Sequence, residues 1–129
     1  MSGIVADTSE WIEYLAGRPA ASLDRALETG NVVVPPIVVA ELLGGARTRE
    51  EFMVLEDLVR DLELHPCTYA HWTAVGELRR SMRAAGVSVS AADAHVAQCA
   101  IDRGAPLLSR DAIFRRIAEQ TPLRLISEG

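Results

Sequence analysis

Short apolar runs alternate with longer amphipathic segments along this chain, and that alternation constrains the fold more than any other feature. The runs at residues 4–6, 31–34 and 106–108 are dominated by Ile, Val, Leu and Ala, and each is followed by apolar residues at helical spacing. Strands that are apolar on both faces and separated by helices indicate a parallel sheet covered on both sides. We therefore expect an α/β fold with a central parallel sheet and helices on both faces.

Turn and capping residues delimit the predicted elements. Thr8 or Ser9 is expected to cap the first helix, and Pro19 to open the second. Ser90 is expected to open a later helix that Gly104 ends. The remaining predicted elements are a helix after the Pro35-Pro36 pair, helices at 50–61 and 69–85, a helix through Ile113 and Ile117, and strands at 62–65 and 123–126.

Four acidic residues lie inside or at the edge of strongly apolar segments, where a carboxylate has no ordinary structural reason to be. They are Asp7, Glu41, Asp93 and Asp111. A buried carboxylate needs a raised pKa, a partner or a metal ion. Asp7 and Asp111 follow strands, and Glu41 and Asp93 lie early in helices, so all four can meet at the carboxyl edge of the sheet. Oxygen-only ligands select Mg²⁺ or Mn²⁺, so we expect such an ion there.

Each acid also has a purely structural interpretation. Asp93 follows Ser90 by three residues and could complete a capping box, while Asp7 and Asp111 could start helices. Glu41 is the hardest to explain in this way, because its helix is strongly apolar and is expected to be largely buried. A salt bridge is the less favoured alternative for Glu41.

Composition excludes several classes of protein. The 129 residues are 49% hydrophobic and fit a single domain spanning residues 1–129. All 13 basic residues are arginine, which suits nucleic acid or an acidic partner, although coding bias would give the same result. With no lysine, the chain is neither a phosphate-loop NTPase nor a phosphoacceptor receiver, and no Gly-x-Gly-x-x-Gly supports a dinucleotide site.

The net charge of −5 includes −4 from the four suspect acids, so it does not argue against a nucleic-acid partner. Cys67 and Cys99 are far apart and suggest small core residues, with neither a zinc site nor a disulfide. No run approaches the roughly 20 apolar residues of a membrane helix, and no signal segment is recognisable. We expect a cytoplasmic protein without membrane contact.

Four ordered motifs resemble those of the PIN-domain ribonucleases, and the VapC-like toxins of bacterial toxin–antitoxin pairs in particular. The likeness covers almost the whole chain. The motifs are Asp7-Thr8-Ser9-Glu10-Trp11-Ile12, Val39-Ala40-Glu41-Leu42-Leu43-Gly44-Gly45, Ala91-Ala92-Asp93-Ala94-His95-Val96-Ala97 and Leu107-Leu108-Ser109-Arg110-Asp111. The resemblance implies a metal-dependent endoribonuclease, usually dimeric, that a cognate antitoxin inhibits. Asp7, Glu41, Asp93 and Asp111 match the family's acidic quartet.

The resemblance leads to a mechanistic hypothesis for RNA cleavage by metal-activated water. Asp7 and Asp93 are expected to hold Mg²⁺ (or Mn²⁺), while Glu41 and Asp111 position its waters. In-line attack would leave a 5′-phosphate and a 3′-hydroxyl. The chain reads Ala112-Ile113-Phe114 where the family often has a further Asp-Phe pair, which puts a second metal position in doubt. The alternative is a catalytically silent PIN scaffold that binds a protein or RNA partner.

Supporting roles are predicted for residues beside the acids. Thr8 and Ser109 could orient a carboxylate, with helix capping equally compatible. A general-base role for His71 or His95 is not favoured, because metal-activated water needs no imidazole and His95 lies on a different helix face from Asp93. Phosphate contacts are expected from the three arginines near the last acid, Arg110, Arg115 and Arg116.

Overall fold

The computed structural model describes residues 3–127, in which short strands alternate with helices. The strands are β1 (Val5–Ala6), β2 (Val33–Val34), β3 (Glu63–Leu64), β4 (Leu107–Leu108) and β5 (Leu125–Ile126). The helices are α1 (Thr8–Leu15), α2 (Ala21–Glu28), α3 (Pro36–Gly44), α4 (Arg49–Arg60), α5 (Tyr69–Ala84), α6 (Ala91–Arg103) and α7 (Ala112–Gln120). The predicted elements are all present, generally a residue or two shorter than expected.

Every strand pairing is parallel, which confirms the predicted α/β class. One sheet has the order β1-β4-β5, and a second pairs β2 with β3. A parallel bridge between Ile4 and Val32 connects them, with Ile4 N donating to Asn31 O at 2.8 Å and Val33 N to Ile4 O at 3.0 Å. The expected central sheet is thus two short ladders in the order β3-β2-β1-β4-β5. Because β1 and β4 pair in parallel, their carboxyl ends lie side by side at one edge of the sheet.

The core forms where α6 crosses the central strands. The residues of β1 and β4 are fully buried, as are most residues of α6 from Ala94 to Ala100. The largest side chains buried against them are Trp11, Leu23, Met82, Phe114 and Ile117. A helix buried on nearly all sides holds the residues at its amino terminus in a fixed position relative to the strands. Among residues 3–127, the structure contains no helix with the length and apolarity required to cross a bilayer.

Two predicted helix starts are wrong in detail. Asp7 itself caps α1, with its side chain accepting from Glu10 N at 2.9 Å, whereas Thr8 and Ser9 already lie within the helix. Aspartate is as good an N-cap as serine and better than threonine, so the earlier residue takes the position. Helix α2 begins at Ala21 after an Ala20 cap, two residues beyond Pro19. Ser90 caps α6, and Gly104 ends it in the left-handed conformation at φ 62°, both as predicted.

Candidate active site

All four suspect acids line one open cleft of about 170 Å³ at the carboxyl edge of β1 and β4. Asp7 follows β1, Glu41 projects from α3, Asp93 lies in the first turn of α6, and Asp111 caps α7. The other lining residues are Thr8, Ser9, Ala92, Val96 and Phe114. The four carboxylates are far apart in sequence and meet because the carboxyl ends of parallel strands lie at one edge of the sheet.

Asp7 is the most firmly held of the four. It is only 6% exposed, and its Oδ1 accepts from Glu10 N at 2.9 Å and from Ser9 Oγ at 3.0 Å. Its Oδ2 accepts from Ser109 Oγ at 2.5 Å. Hydrogen bonds from three donors hold both carboxylate oxygens and leave the side chain little rotational freedom. Asp7 therefore serves as helix cap and cleft ligand together, and the two interpretations of this residue are compatible.

Glu41 lies on the exposed side of α3, so the expectation that it is buried is wrong. Its apolar neighbours Val38 and Leu42 pack into the core instead. Even a strongly apolar helix at the surface has one side that faces solvent, and Glu41 lies on that side. The Thr8 hydroxyl donates to Glu41 Oε1 across the top of the cleft. This bond links α1 to α3 and points the glutamate toward the other acids.

The pKa of Asp93 is shifted by its burial and by the charges of the other three acids. Burial, followed by repulsion from Asp111, Asp7 and Glu41, raises its pKa above the ordinary aspartate value, while the hydrogen bond with Ser90 opposes the shift. Ser90 Oγ accepts from the backbone N of Asp93 at 3.0 Å, which leaves the Asp93 side chain in the cleft. Mutual repulsion of this kind is relieved by a cation.

Asp111 is exposed and caps α7 through a bond from Ile113 N at 3.1 Å. Its own backbone N donates to Ser109 Oγ at 3.1 Å. Ser109 thus accepts from Asp111 N while its hydroxyl donates to Asp7. Ser109, for which a supporting role is predicted, therefore contacts two members of the quartet.

The cleft has the donor set of a hard divalent ion, since its charged ligands are all carboxylates. Mg²⁺ retains several waters and takes only one or two carboxylates directly, so the four acids need not all touch the ion. The residues present therefore fit the ion expected from the sequence.

The three arginines near the last acid occupy two different environments. Arg110 Nε donates to Glu10 Oε2 at 2.8 Å, and its Nη2 lies 3.8 Å from Glu13. Glu10 is 6% exposed, and sequence reasoning did not single it out although its motif contains it. Arg115 and Arg116 are exposed on α7. Phosphate contacts by all three remain a prediction, and Arg110 would have to share its guanidinium with Glu10.

An apolar groove of about 590 Å³ adjoins the acidic cleft, and Glu41 lines both. Its walls come from α1, α3 and α4. The large apolar side chains that line it are Ile12, Leu15, Leu42, Val54 and Leu55. Ile12 is 55% exposed and Val54 68% exposed, which is unusual for large aliphatic side chains that share one groove.

His71 and His95 lie outside the acidic cleft, and His95 faces away from Asp93 as predicted. Their position beside the two cysteines was not predicted from the sequence. All three histidines and both cysteines of the chain gather between the segment after β3 and helices α5 and α6. Although burial opposes it, hydrogen bonds from His71, Gln98 and His65 hold the pKa of Asp102 below its ordinary value at the edge of this group. The spacing His95-x-x-x-Cys99, one helical turn apart, was the available signal.

The comparisons with known proteins agree on one family. The family model described as the PIN domain matches residues 4–120. Ribonuclease VapC11 of Mycobacterium tuberculosis (strain H37Rv) is 34% identical over 131 residues, covering 96% of this chain and 98% of that protein. VapC ribonuclease Mb1587 of Mycobacterium bovis has the same identity and coverage.

Solved structures agree on the fold. VapBC2 from Rickettsia felis, bound to a DNA fragment from its promoter, matches with a TM-score of 0.79 and 19% identity over 98% of both chains. DNA-bound VapBC from Salmonella typhimurium matches with a TM-score of 0.78 and 22% identity over 98% of both chains. At these identities the likeness concerns the fold alone.

Proposed function

This chain belongs to the PIN-domain family, and from that membership we propose that it is a Mg²⁺-dependent endoribonuclease acting as the toxin of a toxin–antitoxin pair in the cytoplasm. Relatives at 34% identity over nearly their whole length are named as ribonucleases, which supports the reaction class. The single observation that carries the proposal is the meeting of Asp7, Glu41, Asp93 and Asp111 in one cleft.

Mg²⁺, with Mn²⁺ as a substitute, would be held by Asp7 and Asp93, with Glu41 and Asp111 acting on its waters. The bound ion would supply charge neutralisation at the phosphate and a water acidic enough to act as nucleophile. Burial and the fixed hydrogen bonds of Asp7 support its assignment as a direct ligand. The exposed positions of Glu41 and Asp111 support the outer role.

The remaining cleft residues orient these acids. Ser109 fixes the Oδ2 oxygen of Asp7, and Ser9 together with Glu10 N fixes the Oδ1 oxygen. Thr8 holds Glu41 toward the cleft, where its carboxylate can accept a proton from attacking water. Such positioning by neighbours is worth a substantial part of the activity in metal-dependent hydrolases.

RNA would approach over α7, where Arg115 and Arg116 are exposed near Asp111. Their guanidinium groups would contact phosphates on the strand that crosses the cleft. These contacts would position the backbone without reading base identity.

A cognate antitoxin would cover the apolar groove beside the cleft. Solved relatives in fold are described as VapBC complexes, and the groove exposes Ile12, Leu15 and Val54 at a point continuous with Glu41. A partner segment seated there could extend a basic side chain to the quartet and neutralise its charge. A homodimer is also expected, and a size measurement of the free chain tests that expectation separately.

Incubation of the purified chain with total RNA tests the nuclease proposal. Cleavage is expected in Mg²⁺ and not in EDTA, with 5′-phosphate ends that a 5′-phosphate-dependent exonuclease can degrade. Asp93→Asn is expected to lose cleavage by at least a hundredfold, and the same chemical change at the exposed Asp61 serves as the matched control. Equal cleavage by wild type and Asp93→Asn, or equal cleavage with EDTA, would contradict the proposal.

Absence of cleavage by a folded protein that still binds RNA or an antitoxin would favour the silent scaffold instead. Coexpression with a candidate antitoxin then tests the toxin assignment. The groove variant Val54→Asp is expected to lose complex formation, whereas Tyr69→Asp, an equally drastic change at a residue 85% exposed on α5, is expected to retain it.

A further inference from the structure

A second cluster of potential metal ligands lies apart from the acidic cleft and uses chemically different donors. It contains every histidine and cysteine of the chain. His65 and Cys67 follow β3, His71 lies on α5, and His95 and Cys99 lie on α6. None of the five lines the acidic cleft. Thiolate and imidazole donors select softer ions than the oxygen ligands of that cleft.

The donor atoms lie close enough together for one ion to gather them with small shifts. His65, His71 and Cys99 form one group whose ligand atoms lie within 4.8 Å of one another, and Cys67, His71 and His95 form another. The Nε2 of His71 is 2.8 Å from Nδ1 of His95, a hydrogen bond that would open when both nitrogens bind an ion, and Cys99 Sγ is 3.9 Å from the same Nδ1. In a tetrahedral site with metal–nitrogen and metal–sulfur bonds of about 2.0 and 2.3 Å, ligand atoms are separated by roughly 3.3–3.8 Å.

Asp102 orients two of the histidines as carboxylates do around zinc. Its Oδ2 is 2.7 Å from His71 Nδ1 and 3.0 Å from His65 Nε2. Its other oxygen accepts from Gln98 Nε2 at 2.8 Å. A metal-binding histidine commonly donates its second ring N–H to a carboxylate in this way, which fixes the tautomer and directs the remaining nitrogen to the metal.

One buried nitrogen of this cluster has no hydrogen-bond partner within the described part of the chain. His65 is 6% exposed, and its Nδ1 is unpaired although its Nε2 contacts Asp102. An unsatisfied buried nitrogen is costly, and hydrogen bonding within the cluster does not relieve it. With the Nε2 proton directed to Asp102, the lone pair of Nδ1 is free to coordinate an ion.

We propose that the cluster of His65, Cys67, His71, His95 and Cys99 binds one transition-metal ion of the zinc class, as a site separate from the acidic cleft. His71 belongs to both three-residue groups, so one ion is expected rather than two. Half-buried Cys67 provides access from solvent, and Trp72 stacks on His95 at 4.9 Å and covers the other side.

The ion would have a structural role. It would join the segment after β3 to α5 and α6, and α6 carries Asp93 near its amino terminus. Binding would therefore restrain the edge of the fold and the helix that supplies one cleft residue. The proposal does not depend on the ribonuclease assignment, because no cleft residue is a ligand.

Titration of the reduced, EDTA-stripped protein with Co²⁺ tests the site directly. Thiolate ligation gives an intense absorption in the near ultraviolet and tetrahedral bands between 600 and 750 nm on the order of hundreds of M⁻¹cm⁻¹, whereas oxygen-only sites give weak bands. Wild type is expected to saturate at one equivalent, and Zn²⁺ is expected to displace Co²⁺ and bleach the spectrum.

Variants distinguish this site from the acidic cleft. The pair Cys67→Ser and Cys99→Ser, made together, is expected to lose the near-ultraviolet band. Asp102→Asn is expected to weaken Co²⁺ binding by roughly ten- to a hundredfold while keeping the spectrum. Asp7→Asn is expected to bind Co²⁺ at this site as wild type does, even though it alters the nuclease cleft. Circular dichroism in EDTA checks that each variant is folded.

A wild-type protein that shows no thiolate band at stoichiometric Co²⁺ would overturn the proposal, as would an identical spectrum from the double serine variant. Should the double variant fail to fold, Asp102→Asn and the single variant Cys67→Ser, at a half-buried position, still decide the question. Unchanged Co²⁺ affinity in both would overturn it.

Discussion

The carboxylate of Asp7 accepts a hydrogen bond from the hydroxyl of Ser109, although 102 residues separate the two in sequence. The bond joins the ends of the neighbouring strands β1 and β4, where Asp7 lines the acidic cleft. Replacing Ser109 with Ala removes that donor and leaves Asp7 less firmly fixed. We expect Mg²⁺ affinity, measured from cleavage against Mg²⁺ concentration, to fall roughly ten- to a hundredfold. Ser81→Ala on the exposed face of α5 is the control, and equal Mg²⁺ dependence in both variants would contradict the role of Ser109.

Thr8 is predicted to act on Glu41 rather than on the start of α1. Thr8→Val removes the hydroxyl bonded to Glu41 Oε1, and the helix keeps its cap because Asp7 provides it. We expect cleavage to fall about tenfold while helix content is unchanged, with Thr8→Ser restoring activity because it keeps the hydroxyl. A loss of helix content in Thr8→Val, or no rescue by serine, would indicate a structural role instead.

Repulsion within the cleft predicts a gain of stability when one acid is neutralised. The raised pKa of Asp93 means that its charged form is disfavoured in the fold, chiefly by burial and then by Asp111. Its folded pKa lies above the unfolded value, so metal-free stability decreases as pH rises through that interval. At pH 7 in EDTA, Asp93→Asn should melt a few degrees above wild type, and Mg²⁺ should raise the melting temperature of wild type more than that of the variant. The reverse order in EDTA would contradict the electrostatic account.

Acid should destabilise the histidine cluster. Burial, with the neighbouring His71 and His65, lowers the pKa of His95 from 6.5 to about 4. The unfolded chain takes up this proton near pH 6.5 and the folded chain does not, so stability from neutral His95 is complete above pH 6.5. It is lost as pH falls toward about 4, by at most roughly 1.4 kcal/mol per pH unit. Urea unfolding in EDTA should show a weaker pH dependence over this interval for His95→Gln than for wild type.

The arginines near the cleft should separate into a structural and an RNA-contacting set. Arg110→Ala leaves Glu10 buried without its partner, and we expect a lower free energy of unfolding than in wild type, measured by urea denaturation. Arg115→Ala and Arg116→Ala should change stability by less than about 0.5 kcal/mol. Each should weaken RNA binding and reduce the salt slope by about 0.7. Unchanged RNA affinity in both α7 variants would remove them from the interface.

The sequence predicted the parts of the fold that depend on local pattern. Continuous apolar strands and capping residues such as Ser90 and Gly104 placed the helices within a few residues, because their physical causes are local. The meeting of Asp7, Glu41, Asp93 and Asp111 was also predictable, since parallel strands bring their carboxyl ends to one edge.

Properties that depend on distant packing were not predictable. The burial of Glu41 was expected from its apolar neighbours, yet the helix rotation that packs Val38 and Leu42 leaves the glutamate exposed. The partnership of Glu10 with Arg110 joins residues that no local pattern relates. The histidine–cysteine cluster was missed for the same reason, because Cys67 and Cys99 look isolated until α5 and α6 pack together.

Binding of Mn²⁺ to the protein, followed by electron paramagnetic resonance, tests most directly whether the four acids share one ion. We expect one site per chain in wild type, competition by Mg²⁺, and at least a tenfold loss of affinity in Asp7→Asn and in Asp93→Asn, with Asp61→Asn unchanged. Mn²⁺ binding that is the same in all four proteins would show that these carboxylates do not form a common metal site.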